Sequence, residues 1–167
     1  MFYDCRSLTQ PPKLISKTLA PYCYASMFSH CSALTDMPEL PAENLSDYCY
    51  LSMFENCITL INVSEIGAIN TALYSCNYMF SGCTSLTNAP HLKATTLSNY
   101  CYARMFTGCK NLSNINVDFE SWGNSNFIYT NNWLTDVSQT GTFTCPNTLP
   151  EVRGTANIPN NWTIVRK

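Results

Sequence analysis

The residues with the most chemical reach in this 167-residue chain are ten cysteines and two histidines. They meet in the stretch CYASMFSHC, Cys23 to Cys31, where His30 stands beside a thiol. Taken alone, that stretch could bind a metal, close a disulfide loop or carry a reactive thiol. Each chemistry demands a spacing. Zinc is held by close pairs such as Cys-x2-Cys with histidine partners; no such pair occurs, and His30 and His91 stand in dissimilar contexts. A helix joining Cys23 to Cys31 would separate them by roughly 12 Å along its axis, beyond the about 7 Å between Cα atoms that a disulfide spans. A catalytic thiol would be one special cysteine. The carboxylates Asp4, Glu39, Glu43 and Glu65 are spread along the chain, with no Ser/His/Asp or Cys/His set and no glycine-rich phosphate loop. The expectation is no enzyme, no metal and no cofactor. A deep pocket holding His91 with a carboxylate would reopen catalysis.

The cysteines make sense once the chain is aligned with itself. Met-Phe recurs at Met27-Phe28, Met53-Phe54, Met79-Phe80 and Met105-Phe106, and 53−27, 79−53 and 105−79 are each 26. One more subtraction reaches Met1-Phe2. Cys5, Cys31, Cys57, Cys83 and Cys109 keep that phase, as do Leu8, Leu34, Leu60, Leu86 and Leu112. Cys23, Cys49 and Cys101 form another column, and the third copy shifts its cysteine to Cys76. Nine of the ten cysteines thus belong to columns, and only Cys145 stands apart. Buried cysteine behaves as a small polarizable hydrophobe. Cys23, Cys31, Cys49, Cys57, Cys83, Cys101 and Cys109 are therefore expected as packing filler. Disulfides between neighbouring repeats stay open, because strand-to-strand spacing lies within bridging distance.

Two elements per repeat would position these columns. In TTLSNYCYARMFTGC, Thr95, Thr96 or Ser98 could cap a helix. Cys101, Tyr102, Met105 and Phe106 would share its buried face, with Gly82, Gly108, His30 and Asn56 at a left-handed C-cap. Met27, Phe28, Met53, Phe54, Met79, Phe80, Met105 and Phe106 would be that helix's core stripe. SLTNAPHL, Ser85 to Leu92, reads as a short strand curtailed by its proline. A unit of this length cannot bury a core alone and must stack on its neighbours. The fold class expected is α/β: a right-handed strand–helix leucine-rich-repeat solenoid with a parallel sheet over residues 1–117. Residues 118–167 break the period and carry Trp122, Trp133 and Trp162. TGTFT and NWTIV alternate as strands do, so this tail is expected to be a small β cap over the apolar end, its tryptophans serving burial more than sugar binding. The first repeat starts at its helix end without a cap, which points to a longer chain or larger assembly.

Composition narrows the partners. Charged residues are 12% and the net charge is −2, leaving no basic footprint for nucleic acid. No apolar run reaches the roughly 18 residues that would suggest a membrane span. Recognition should then fall on solvent-facing strand positions. With Leu8 and its equivalents inward, Thr9, Thr35, Ile61, Thr87 and Ser113 face out, as do Lys13, Glu39, Glu65 and His91. Gln10, Asp36, Asn62, Asn88 and Asn114 would point inward as a hydrogen-bond ladder.

The pattern CYxxMFxxCxxLTxxPxLPAxxL, at Cys23–Leu45 and nearly again from Cys49 and Cys101, resembles the BspA-like leucine-rich repeat proteins over roughly residues 1–117. Trp133, Val137, Gly141, Thr142, Phe143, Ile158, Pro159, Trp162, Thr163 and Val165 are similar to a closing module on such arrays in gut anaerobic bacteria. The third repeat departs from the pattern, with Ser64 in place of proline. This resemblance implies a secreted or cell-surface bacterial protein that adheres to another protein or a surface glycan, without enzyme activity. Related arrays look like parts of bacteriophage tail proteins, so a structural or receptor-binding virion component is the alternative.

Overall fold

The computed structural model describes residues 1–124 and 126–167. Among them there is no α-helix, so the strand–helix leucine-rich-repeat solenoid expected from the sequence is overturned. The stretches around the Met-Phe pairs, 21–30, 47–56, 73–82 and 99–108, are continuous runs of turns.

The reason lies in how the backbone divides its donors. In 21–30, the N–H groups of Cys23, Ala25, Met27 and Ser29 close turns onto carbonyls three residues back, at 3.1–3.2 Å. The residues between them donate outward instead. Tyr24 N–H reaches the Cys49 carbonyl at 3.0 Å, Ser26 that of Leu51 at 2.8 Å, and Phe28 that of Met53 at 2.9 Å. The offset is 25 in each case (49−24, 51−26, 53−28). A helix would keep all these bonds inside the segment; here every second one joins neighbouring stretches. The backbone needs a left-handed residue at every fourth position: Tyr22, Ser26 and His30, then Tyr48, Ser52 and Asn56, then Tyr74, Tyr78 and Gly82. Side chains consequently point in pairs, two in and two out. Cys49, Tyr50, Met53, Phe54 and Cys57 are buried, while Tyr48, Leu51, Ser52, Glu55 and Asn56 are not. Each non-glycine left-handed residue costs roughly 1–2 kcal/mol. The burial of the paired inward residues and the bonds between stretches offset it.

Gly82 shows why one of these positions takes glycine. Its φ is +74°, and a Cβ there would lie 2.2 Å from the Asn56 side-chain oxygen. His30, Asn56, Gly82 and Gly108 do adopt positive φ, but they punctuate a turn run and cap no helix.

The inward columns stack on themselves. Phe2, Phe28, Phe54, Phe80 and Phe106 form one ring stack, with centroids 5.5–5.6 Å apart and planes within 9°. Each thiol of the cysteine column donates to a phenylalanine carbonyl 29 residues earlier: Cys57 to Phe28 and Cys83 to Phe54 at 3.1 Å, Cys109 to Phe80 at 3.0 Å. Cysteine is short enough to pack there and still supply a donor. All ten cysteines are free thiols, and Cys23, expected as filler, is exposed at the open side of the stack.

The other side of each 26-residue circuit holds less sheet than expected. Parallel bridges join Asp36 to Asn62, Leu40 to Ile66, Ile66 to Leu92, and Asn44 to Asn70. No continuous strand forms in 85–92. Pro38 and Pro90, two residues after the bridged Asp36 and Asn88, lack the N–H a ladder needs. Named strands appear only further on: β1 (Asn114–Asn116), β2 (Gly123–Asn124), β3 (Phe127–Ile128), β4 (Thr142–Cys145) and β5 (Thr163–Arg166). β1, β4 and β5 make a parallel sheet in that order, and β2 pairs antiparallel with β3. Because β1 pairs with β4, the sheet crosses the boundary placed at residues 117/118. The turn-run ladder also continues into the tail, Phe106 N–H to the Trp133 carbonyl at 3.0 Å.

Tail packing closes that end of the stack. Trp133 is fully buried and meets Phe106, Phe119 and Phe143 with centroids 6.1–6.3 Å away. The indole N–H groups of Trp122, Trp133 and Trp162 donate to the carbonyls of Pro150, Asn157 and Ser138. Gly141 lies so close to Ser113 and Trp162 that a Cβ would sit 2.4 Å from the Ser113 carbonyl oxygen. No helix among the described residues is long and apolar enough to cross a membrane.

Burial sets a pH limit on this core. It pushes the thiols of Cys49, Cys57, Cys101 and Cys109 up to about 12 from an ordinary 9.0, and those of Cys76 and Cys83 well above it. A thiol whose folded pKa is raised contributes stability that is complete below the unfolded pKa and is lost as pH rises towards the folded one. Denaturant titrations should therefore show stability falling between pH 9 and about 12, with a shallower slope in Cys57→Ala. Wild type and Cys57→Ala with equal slopes would contradict the burial of this thiol.

Candidate binding groove

Alternation along an ideal strand would send Thr35 outward and Asp36 inward. The structure does otherwise. The Thr35 carbonyl accepts both Ile61 N–H and Asn62 N–H, at 3.1 and 3.0 Å, and the Thr87 carbonyl accepts both Ser113 and Asn114 at 3.0 and 3.3 Å. This kink turns two successive residues to the surface. Asn62, Asn88 and Asn114 are exposed and Asp36 is half-buried, so the polar column expected inside lines the outside.

It forms one wall of a groove. A concavity of about 470 Å³ is lined by Asp36, Asn62, Asn88, Met37, Val63 and Ala89 among others. The next, of about 270 Å³, shares Asn88 and Ala89 and adds His91, Asn114, Ile115, Asn116, Thr142 and Thr144. Two more lie alongside: one shares Ser64 and includes Glu39 and Glu65, and the other, nearer the N-terminus, shares Glu39 and holds Lys13. Val63 and Ala89 are half-buried along the groove, while Met37 and Ile115 belong to the buried core. The groove's bordering groups are amides, hydroxyls and a few charges.

The wall is braced along the stack at Asp36 and within single circuits at Asn88 and Asn114. Asp36 accepts from Thr35 at 2.5 Å, Gln10 at 2.7 Å and Asn62 at 2.8 Å, and these bonds hold its carboxyl below the ordinary value. Asn88 donates to the Thr87 hydroxyl at 3.0 Å and Asn114 to that of Ser113 at 3.2 Å. The expected binding residues thus divide. Lys13, Glu39 and His91 line the groove, as does Glu65, which pairs with Lys93 at 2.5 Å. Thr9, Thr35 and Thr87 lie beside it, and the last two orient the wall. Asn62, Asn88 and Asn114 are the site residues that sequence reasoning placed on the wrong side. Their uniform polarity was the available signal.

His91 meets a carboxylate. Its Nε2 is 2.9 Å from Asp118 Oδ1, and the same oxygen accepts from Lys167 Nζ at 2.5 Å. Lys167 also reaches Asn116 Oδ1 at 2.6 Å. The hollow is shallow and the shared oxygen is occupied twice, so the arrangement works as a clasp between the stack and the chain end. Burial pushes the Asp118 carboxyl up, and the bonds from Lys167 and His91 outweigh it, leaving it below the ordinary 3.8.

The turn-run face offers a different surface. Tyr22, Tyr48, Tyr74 and Tyr100 stack with centroids 4.6–5.2 Å apart and planes within 10°. A ring binds sugars or cations through its face, and here those faces cover one another. Arg104 lies over Tyr78 and donates to its hydroxyl. Among the described residues, no group of three or more His, Cys, Asp or Glu is placed to hold a metal.

The Asp118 clasp predicts an acid limit. A carboxylate with a lowered folded pKa stabilises above its unfolded value and loses that contribution as pH falls through the folded pKa. Asp118→Asn should be less stable at neutral pH and lose less stability below pH 3.8 than wild type does, as read by thermal unfolding across pH. Identical acid profiles would contradict the clasp. No family model matches this chain, and no curated protein or solved structure matches it significantly.

Proposed function

We propose that this chain is a non-enzymatic binding module of a bacterial surface or secreted protein, holding a protein or glycan partner in adhesion. The observation that carries the reading is the groove: hollows that adjoin one another at Asn88 and Ala89 and are bordered by exposed amides and hydroxyls. Sites that bind without chemistry need shape and positioned polar groups, and the side-chain bonds of Asn62 to Asp36, Asn88 to Thr87 and Asn114 to Ser113 supply the second. A surface or secreted location is supported by the resemblance to BspA-like repeat sequences.

Adhesion of protein-coated beads to mucin and to bacterial cells tests this. Asn88→Leu with Asn114→Leu should reduce bead binding about tenfold, the loss of one or two hydrogen bonds of about 1 kcal/mol each. Tyr74→Ala on the opposite face should leave it unchanged. Cys83→Ala should lower the melting temperature, at about 1–2 kcal/mol, and retain binding. Binding that survives the groove pair and disappears with Tyr74→Ala would refute the assignment.

A further inference from the structure

We infer that a gap in the groove seats the acetamido group of an N-acetylated amino sugar in the partner glycan. The inference rests on the groove being the binding site.

The gap is a missing piece of the ladder between circuits. Elsewhere along the groove one carbonyl accepts two N–H groups: Thr35 from Ile61 and Asn62, and Thr87 from Ser113 and Asn114. A returning bond answers each, from Met37 N–H to the Asn62 carbonyl and from Ala89 N–H to the Asn114 carbonyl, both at 2.9 Å. The equivalent bonds between 61–64 and 87–90 are absent among the described residues. The Ile61 carbonyl, the N–H groups of Val63 and Thr87, and both backbone groups of Asn88 have no partner among those residues. The circuits are joined again on either side. The Thr84 hydroxyl reaches the Ile58 carbonyl at 3.5 Å, and Ile66 is bridged to Leu92. The break is therefore local, and it borders the hollow of about 470 Å³.

The sequence departs from its own pattern at the same place. Ile61 stands in the column of Thr9, Thr35, Thr87 and Ser113, and Ser64 in that of Pro12, Pro38 and Pro90. The hydroxyls of Thr87 and Ser113 each hold the asparagine that follows. Ile61 has no hydroxyl to offer and is 51% exposed. Ile61, Val63 and Ala89 thus line the hollow with aliphatic groups beside unpaired backbone.

A ligand must answer both. The N–H groups of Thr87 and Asn88 lack the shared carbonyl oxygen that Ser113 and Asn114 have, and unpaired backbone groups seek such a partner. An amide carbonyl supplies it. The amide N–H can donate to the carbonyl of Ile61 or Asn88, and a methyl on the carbonyl carbon can rest against Ile61, Val63 and Ala89. A secondary amide ending in a methyl is an acetamido group. The joins on either side close the gap along the chain direction. A main-chain peptide amide must enter and leave such a gap, whereas a pendant amide need only enter. The exposed amides of Asn62 and Asn88 remain for the sugar hydroxyls.

NMR titration of isotope-labelled protein tests this, with N,N′-diacetylchitobiose, its deacetylated form, cellobiose and N-acetylglycylglycine as probes. Diacetylchitobiose should move the amide signals of Val63, Thr87 and Asn88. It should bind about tenfold more tightly than cellobiose or the deacetylated disaccharide. Ile61→Ser, at an exposed position, should weaken it about fivefold, and Tyr74→Ala should leave it unchanged. Equal binding of cellobiose would overturn the acetamido seat. N-acetylglycylglycine moving the same three signals as strongly would overturn the amino sugar. If no saccharide binds while Asn88→Leu with Asn114→Leu still reduces bead adhesion, this inference fails and the groove reading stands. If that pair leaves adhesion intact, the groove reading itself fails, even where diacetylchitobiose moves the three amides.

Discussion

Every second backbone N–H in the turn runs is given to the neighbouring stretch, and the other structural features follow from that division. Because Tyr24, Ser26 and Phe28 bond forward by 25 residues, each run lies in register on the next. The left-handed residue at every fourth position follows from the same geometry, and so does the two-in, two-out order of side chains. Register then places like on like. Phenylalanines stack, cysteine thiols find the phenylalanine carbonyls of the preceding circuit, and tyrosines stack on the outside. No single contact in this arrangement is strong; a thiol–carbonyl bond contributes a fraction of an ordinary hydrogen bond. Repetition makes the sum large.

The same register builds the groove. Kinks at the Thr35 and Thr87 carbonyls deliver the amides of Asn62 and Asn114 to the surface. The tail extends the row, since β4 and β5 continue the ladder from β1 and add Thr142 and Thr163 to it. Asp118 and Lys167 tie the end of that row to His91. Scaffold and site are therefore one construction, and a substitution that slips the register would move the groove with it. The aromatic face is built by the same rule with the opposite result, because stacking hides the surfaces through which tyrosine would bind.

Much of this was legible in the sequence. The 26-residue spacing, the identity of the inward columns and the burial role of Trp133 and Trp162 could be read from types and positions. The helix could not be excluded so easily. Cys49, Tyr50, Met53 and Phe54 stand at i, i+1, i+4 and i+5, which fits one face of a helix as well as a period of four. Cys57 carries the distinction. At i+8 it would be turned about 80° from Cys49 on a helix of 100° per residue, whereas a period of four keeps it in phase and inside. Asn56 and Gly82 signalled a left-handed residue correctly, but a helix cap and a turn run make the same demand. The polar column was visible too, and its direction was not, because strict alternation fails where one carbonyl accepts two N–H groups.

The division of hydrogen bonds can be observed directly. Scalar couplings across hydrogen bonds in isotope-labelled protein report which carbonyl each amide reaches. Phe54 N–H should couple to the Met79 carbonyl, and Phe80 N–H to that of Met105. Coupling of Phe54 to Tyr50, four residues back, would mean a helix and would contradict the account.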